Sequence, residues 1–172
     1  MSDSTSDGPE TVSVDTLIHG ELAPGFLGLL LGQIVDRLVE EGSPSAREAG
    51  IAAPVRSFSL ISMLARAELS VTEIAPRLGV THAAVIKTVR ALEGLGLVER
   101  GQDPSDARRK PLRLTGAGRE EADRITRYMA RASAVYLSMF EEIGVDLFAT
   151  ARAFDAALDR ENFGDRIART LR

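Results

Sequence analysis

Three cations stand side by side at Arg108, Arg109 and Lys110, with Asp103 and Asp106 before them and Leu112 and Leu114 after them at strand spacing. Upstream, Lys87 and Arg90 sit one helical turn apart, and Thr81 and His82 lie at the start of the same segment. Guanidinium and ammonium groups held together in this way neutralise phosphates and release condensed counterions. Arginine also pairs with guanine edges in a major groove and enters a narrow minor groove, where the negative potential is deepest. The chemistry on offer is polyanion binding. From Arg77 to Arg113 there are eight bases and four acids, in a chain whose net charge is −4. A basic segment inside an acidic protein marks one face for a polyanion.

Other chemistries lack their residues. Cysteine is absent, which removes disulfides, thiolate metal sites and thiol redox sensing. The two histidines, His19 and His82, are far apart and have no partner at ligand spacing, so no metal site is expected. No Gly-rich phosphate loop and no Ser-His-Asp arrangement is visible, and the carboxylates fall mostly on helix surfaces. The expectation is no catalysis and no cofactor. The longest apolar run, "GFLGLLLGQIV" at 25–35, is shorter than the ~20 residues that a membrane span needs. The N-terminus lacks the basic start and apolar stretch of a secretory signal. A cytoplasmic protein without membrane contact is expected.

The elements that position the cations can be read from periodicity. Residues 1–14 are polar and acidic and read as a disordered arm. Leu27, Leu30, Leu31, Ile34, Val35 and Leu38 predict a helix over 23–41, with Gly25, Gly28 and Gly32 on a neighbouring stripe suited to close helix approach. "EGSPS" at 41–45 is expected to end it. A second, buried helix is expected over 53–65, with Pro54 in its first turn. Ser70 and Glu73 form a capping box that starts a third helix, and Gly79 stops it. Pro76 is an oddity in that helix, since it removes one helical bond. Thr81 caps the next helix, which turns Val85, Val89 and Leu92 inward and Thr81, His82, Ala83, Ile86, Lys87 and Arg90 outward. Gly94 and Gly96 close it. Leu97–Arg100 and Lys110–Leu114 read as two strands of a hairpin, with the basic stretch at its tip. Pro111, at the start of the returning strand, threatens one ladder bond. From Thr115 to Ile143 a seam of Ala122, Ile125, Met129, Ala132, Tyr136, Met139 and Ile143 steps by three and four. A seam that long argues for packing against the first helix and against a second copy of the chain. A last helix is expected over 146–158.

Helix, glycine turn, helix and basic-tipped hairpin is the order of a winged helix-turn-helix. The fold class expected is mainly α with a small β-hairpin wing, flanked by long N- and C-terminal dimerisation helices. The units are the arm 1–14, N-terminal helices 15–66, a DNA-binding lobe 67–114 and C-terminal dimerisation helices 115–172. Ala83 and Ile86 offer only apolar contact, so backbone charge and DNA shape are expected to carry much of the affinity. The acidic total charge keeps a second reading open, that of a winged-helix module that binds protein and not DNA.

The stretch "LSVTEIAPRLGVTHAAVIKTVRALEGLGLVER" followed by "DPSDARRKPLRLTGAGRE" resembles the MarR family of bacterial transcription regulators. The matching features are Leu78-Gly79-Val80-Thr81, Leu92-Glu93, Gly96-Leu97-Val98, Asp103-Pro104, Asp106 with Arg108, and Leu114-Thr115 with Gly118. The resemblance implies a homodimer joined by its terminal helices, with two recognition helices in successive major grooves of a pseudo-palindromic operator on double-stranded DNA. It implies repression relieved by a small ligand or by oxidation. Without cysteine, a small-molecule effector between the dimer helices and the lobe is the expected input, with Phe26, Phe58 and Tyr128 as candidate pocket residues. It further implies that Asp106 holds Arg108 extended into the minor groove. Ala107 departs from the pattern, where a base is common, so Arg109 or Lys110 would substitute.

Overall fold

The computed structural model describes residues 14–102 and 110–171. The elements run in the order α1 (Val14–His19), a 3-10 turn (Ala23–Phe26), α2 (Leu27–Glu48), a second 3-10 turn (Val55–Ser57), α3 (Phe58–Leu64), α4 (Val71–Leu78), α5 (His82–Gly94), β1 (Val98–Arg100), β2 (Leu112–Leu114), α6 (Gly116–Ile143), α7 (Leu147–Arg160) and α8 (Phe163–Thr170). The expected arm falls outside the described residues except Val14, which opens α1.

The core belongs to the lobe that carries the helix-turn-helix. Ile61 of α3, Ile74 of α4, Val89 and Leu92 of α5, Leu112 of β2 and Ile125 of α6 are completely buried. Val89, Leu92 and Ile125 are inward positions that the helical period predicts. α4 starts where its capping box puts it, with the Ser70 N–H donating to the Glu73 carboxylate at 2.7 Å. It stops at Gly79, whose φ of 64° suits glycine and lets Val80 N–H reach back to the Ala75 carbonyl at 3.1 Å. Pro76 sits in the last turn of this short helix and faces outward, so its cost is confined to one missing bond. α5 is closed by Gly96 at φ 68°, while Gly94 is still helical.

β1 and β2 pair antiparallel with Val98 opposite Leu114, Glu99 opposite Arg113 and Arg100 opposite Leu112. Both strands are shorter than expected. Pro111 does not disturb them, because its carbonyl accepts from the Gly101 N–H at 2.7 Å. β2 is held on its other side too, since Leu69 and Leu112 exchange backbone bonds at 3.3 and 2.9 Å. The hairpin therefore lies against the segment that leads into α4. α6 begins at Thr115, whose hydroxyl accepts from Gly118 N–H at 3.0 Å. Gly118 is a close-approach glycine: a Cβ there would collide with the Leu97 carbonyl and stand 3.2 Å from the Leu114 side chain.

One expected boundary needs correction, and two features of the C-terminal helices add detail. α2 does not end at 41–45 but runs through Pro44 to Glu48. Its residual polar groups are taken up locally, with Ser43 donating to the Val39 carbonyl and Ser45 to the Gly42 carbonyl. The α6 seam extends beyond the lobe, as its length implies. Ala122 and Ile125 are buried in the lobe, whereas Met129, Met139 and Ile143 are exposed beyond it. The segment after residue 160, within the expected C-terminal helices 115–172, forms α8, capped by the Asn162 side chain accepting from Asp165 N–H at 2.9 Å.

Candidate nucleic-acid interface and the groove behind it

α5 is a rigid rod with one dry side and one wet side. Val85, Val89 and Leu92 are buried against the lobe. Thr81, His82, Ala83, Ile86, Lys87 and Arg90 are all exposed, as the helical period requires. The Thr81 hydroxyl is already engaged as the N-cap, accepting from Ala84 N–H at 3.2 Å. The other N–H groups of the first turn have no helical partner and suit a phosphate oxygen.

Charge on this face is unspent. Arg100 pairs with Glu93 and Arg113 with Glu99, each at 2.9 Å, which neutralises two of the bases near the hairpin. Lys87 and Arg90 have no ion-pair partner among the described residues. The Glu99–Arg113 pair crosses the two strands and, with the Gly101–Pro111 bond, stiffens the foot of the wing. Lys110 is exposed at that foot. Asp106, Arg108 and Arg109 lie outside the described residues.

Behind the lobe, α2 and α6 diverge around an apolar groove of about 790 Å³. Val35, Leu38 and Val39 line one wall and Ala132, Val135 and Met139 the other. Tyr128, Ser45 and Arg131 add polar groups at its lobe end. Of the three expected pocket residues, only Tyr128 lines it. Phe58 is 6% exposed and buried behind Tyr128, edge-on at 6.0 Å between ring centres and 81° between planes. Phe26 lies at the start of α2, beside Leu22 and Pro24 on a separate surface dip. Sixteen residues of helix separate it from Gly42, roughly 24 Å at 1.5 Å per residue.

Residues 54–109 match the model of the MarR family. Solved structures agree over a wider span. The transcriptional repressor CouR, bound to a 23-mer DNA duplex, shares 28% identity and superposes with a TM-score of 0.63 over 81% of this chain and 96% of its own. Over residues 54–109 the winged lobe is similar to that of the MarR family. The S. aureus MepR–DNA complex has the same fold at 21% identity, with a TM-score of 0.64 over 77% of this chain and 98% of its own. The adhesin competence repressor AdcR of Streptococcus pyogenes does so at 18% identity, with a TM-score of 0.57, over 78% and 96%. Comparison with curated proteins gives no match.

One polar residue of this lobe escaped the sequence reading. Glu121 is completely buried in α6. Its Oε1 accepts from the backbone N–H groups of Ala52 and Ala53 at 2.6 and 2.7 Å, and its Oε2 pairs with Arg124 Nη2 at 2.8 Å. It thus ties α6 to the turn that leads into α3. The signal was present: Glu121 falls one position before Ala122 and four before Ile125, on the inward side of the seam. A search for apolar steps passes over it.

Proposed function

We propose that this chain is a homodimeric, sequence-specific DNA-binding transcription regulator, a repressor released when a small molecule occupies the α2–α6 groove. The observation that carries it is the outward face of α5. It is a helix locked by three buried residues, exposing Lys87 and Arg90, which have no acidic partner among the described residues, beside a stiff hairpin. That is the presentation a major groove accepts. The CouR and MepR complexes with DNA support the reading, because their lobes share this fold. Thr81, His82, Ala83, Ile86, Lys87 and Arg90 are the proposed helix contacts. Asp106, Arg108, Arg109 and Lys110 are the proposed wing contacts, with Asp106 holding Arg108.

Dimerisation is supported by apolar surface that the protomer leaves open. Leu27, Leu31 and Ile34 of α2 are exposed, and so are Phe148 and Phe154 of α7 and Phe163 of α8, the last at 64%. Apolar exposure on this scale marks an interface. A Cβ at Gly25, Gly28 or Gly32 would meet nothing within 4 Å, which leaves room for a partner helix to approach α2 closely. Residues 15–66 and 115–172 supply the dimer and scaffold helices around the 67–114 lobe. A dimer reads two half-sites about 34–36 Å apart, so a groove occupant that turns one lobe against the other breaks the match. Among the described residues no helix is long and apolar enough to cross a membrane. The proposed place of action is the cytoplasm, with the chromosome.

The test is fluorescence anisotropy with a duplex carrying an inverted repeat and with a scrambled duplex, each titrated at several salt concentrations. Specific binding that weakens linearly in log salt is expected. The variant Lys87→Ala should bind more weakly and lower the salt slope by about one. A protein that ignores both duplexes at low salt would overturn the proposal.

A further inference from the structure

α2 contains a break that its own sequence makes unavoidable. Pro44 stands inside the helix and has no N–H, so the Glu40 carbonyl loses its helical donor. Ser43 turns its hydroxyl back onto the Val39 carbonyl, which competes with the same ladder. Gly42 has poor helix preference and no side chain to pack. Three weaknesses fall in a row, yet the helix continues to Glu48.

The support comes from α6. Tyr128 donates its hydroxyl to the Gly42 carbonyl at 3.0 Å and lies 2.7 Å from the Ser45 hydroxyl. Ser45 also reaches the Gly42 carbonyl at 3.0 Å. Two hydroxyl protons therefore serve three contacts, clasping one turn of α2 across the break. A Cβ at Gly42 would stand 3.4 Å from the Tyr128 hydroxyl, so glycine gives that hydroxyl its access to the backbone. The tyrosine ring rests edge-on against Phe58, which is part of the lobe core. The break also divides α2 by allegiance. Ala46, beyond it, is buried in the lobe, while Leu27, Leu31 and Ile34, before it, are the exposed residues assigned to the dimer.

We propose that Tyr128 is a latch: a positioning residue that holds the Gly42–Pro44 break of α2 in its helical course and so sets the angle between the dimer helices and the DNA-reading lobe. This rests on the regulator reading above. With the latch closed, the two lobes of a dimer keep the separation that the half-sites demand. With it open, α2 bends at Pro44 and the separation is lost. The latch lines the groove, so a groove occupant meets the same hydroxyls.

The variant Tyr128→Phe keeps the ring on Phe58 and removes only the hydroxyl. It should remain a dimer with a nearly unchanged unfolding midpoint, lose about tenfold in DNA affinity, and exchange the backbone amides of 41–48 about tenfold faster, the factor one lost hydrogen bond gives. Pro44→Ala restores the missing helical donor. In the Tyr128→Phe background it should bring both readouts back to within about threefold of the unsubstituted chain. Should Tyr128→Phe fail to fold, Ser45→Ala carries the same two measurements, with smaller changes of the same sign. A Tyr128→Phe protein that binds and exchanges like the parent, or a double variant as defective as the single one, overturns the latch. If the parent binds no duplex, it is the regulator reading that fails, and amide exchange alone then decides whether Tyr128 holds the break.

Discussion

Replacing Glu121 by alanine is the sharpest test of how the lobe is held together. The carboxylate is completely buried, accepts two backbone N–H groups on one oxygen and pairs with Arg124 on the other. Alanine would leave the Ala53 N–H buried without an acceptor and Arg124 without its counter-charge, while water can still reach the more exposed Ala52. A buried donor left unsatisfied costs about 1–3 kcal/mol, and removing one side of a buried, hydrogen-bonded ion pair costs about 3–5 kcal/mol in all, an upper bound here because Arg124 is 33% exposed. For a chain of this length the higher figure lowers the midpoint of thermal unfolding by roughly 10–20 °C. Glu121→Gln keeps an acceptor for the two N–H groups and loses the charge, so it should fall between the parent and the alanine variant. Urea unfolding followed by far-UV circular dichroism measures this. It should be run at two protein concentrations, because dimerisation adds to apparent stability. A loss below about 1 kcal/mol for Glu121→Ala would refute the claim that this carboxylate fastens α6 to the turn before α3.

Gly118→Ala should destabilise the lobe by about 1–3 kcal/mol or more, read from the same unfolding curves, because the added methyl meets the rigid Leu97 backbone. Thr81→Ala removes the α5 cap and should cost about 1 kcal/mol of stability, whereas Thr81→Ser should restore most of it. Arg108→Ala should weaken duplex binding by about 1–3 kcal/mol in a gel-shift titration at fixed salt, with the dimer mass unchanged by light scattering.

The helix-turn-helix was legible because its signals are local. A capping box at Ser70 and Glu73, glycine stops at 79 and 96, a threonine cap at 81 and a 3.6-residue apolar period over Val85, Val89 and Leu92 each act within a turn or two of chain. The outward residues of α5 followed by subtraction, and the exposure of all six agrees with that reading. The hairpin was legible for the same reason, though Pro111 was read too severely: proline lacks a donor but keeps its carbonyl, and Gly101 uses it.

The expectations that failed depended on contacts between distant residues. "EGSPS" carries every local mark of a helix end, yet α2 continues, with Tyr128, eighty-six positions away, bonded to the Gly42 carbonyl. Aromatic type alone could not separate Phe58, Tyr128 and Phe26, because burial behind a neighbour, a groove wall and a remote helix start are facts of packing. The role of Glu121 was invisible for a related reason. A carboxylate is buried only where donors converge on it, and its donors come from a turn sixty-eight and sixty-nine residues earlier. Sequence alone determined where α4, α5 and α6 begin, which side of α5 is dry and where the positive charge is concentrated, since caps, periods and charges are properties of neighbours along the chain. Tertiary structure alone decided how far α2 runs, which aromatic rings face the groove and which acid is locked inside, since those follow from groups that meet only after the chain has folded.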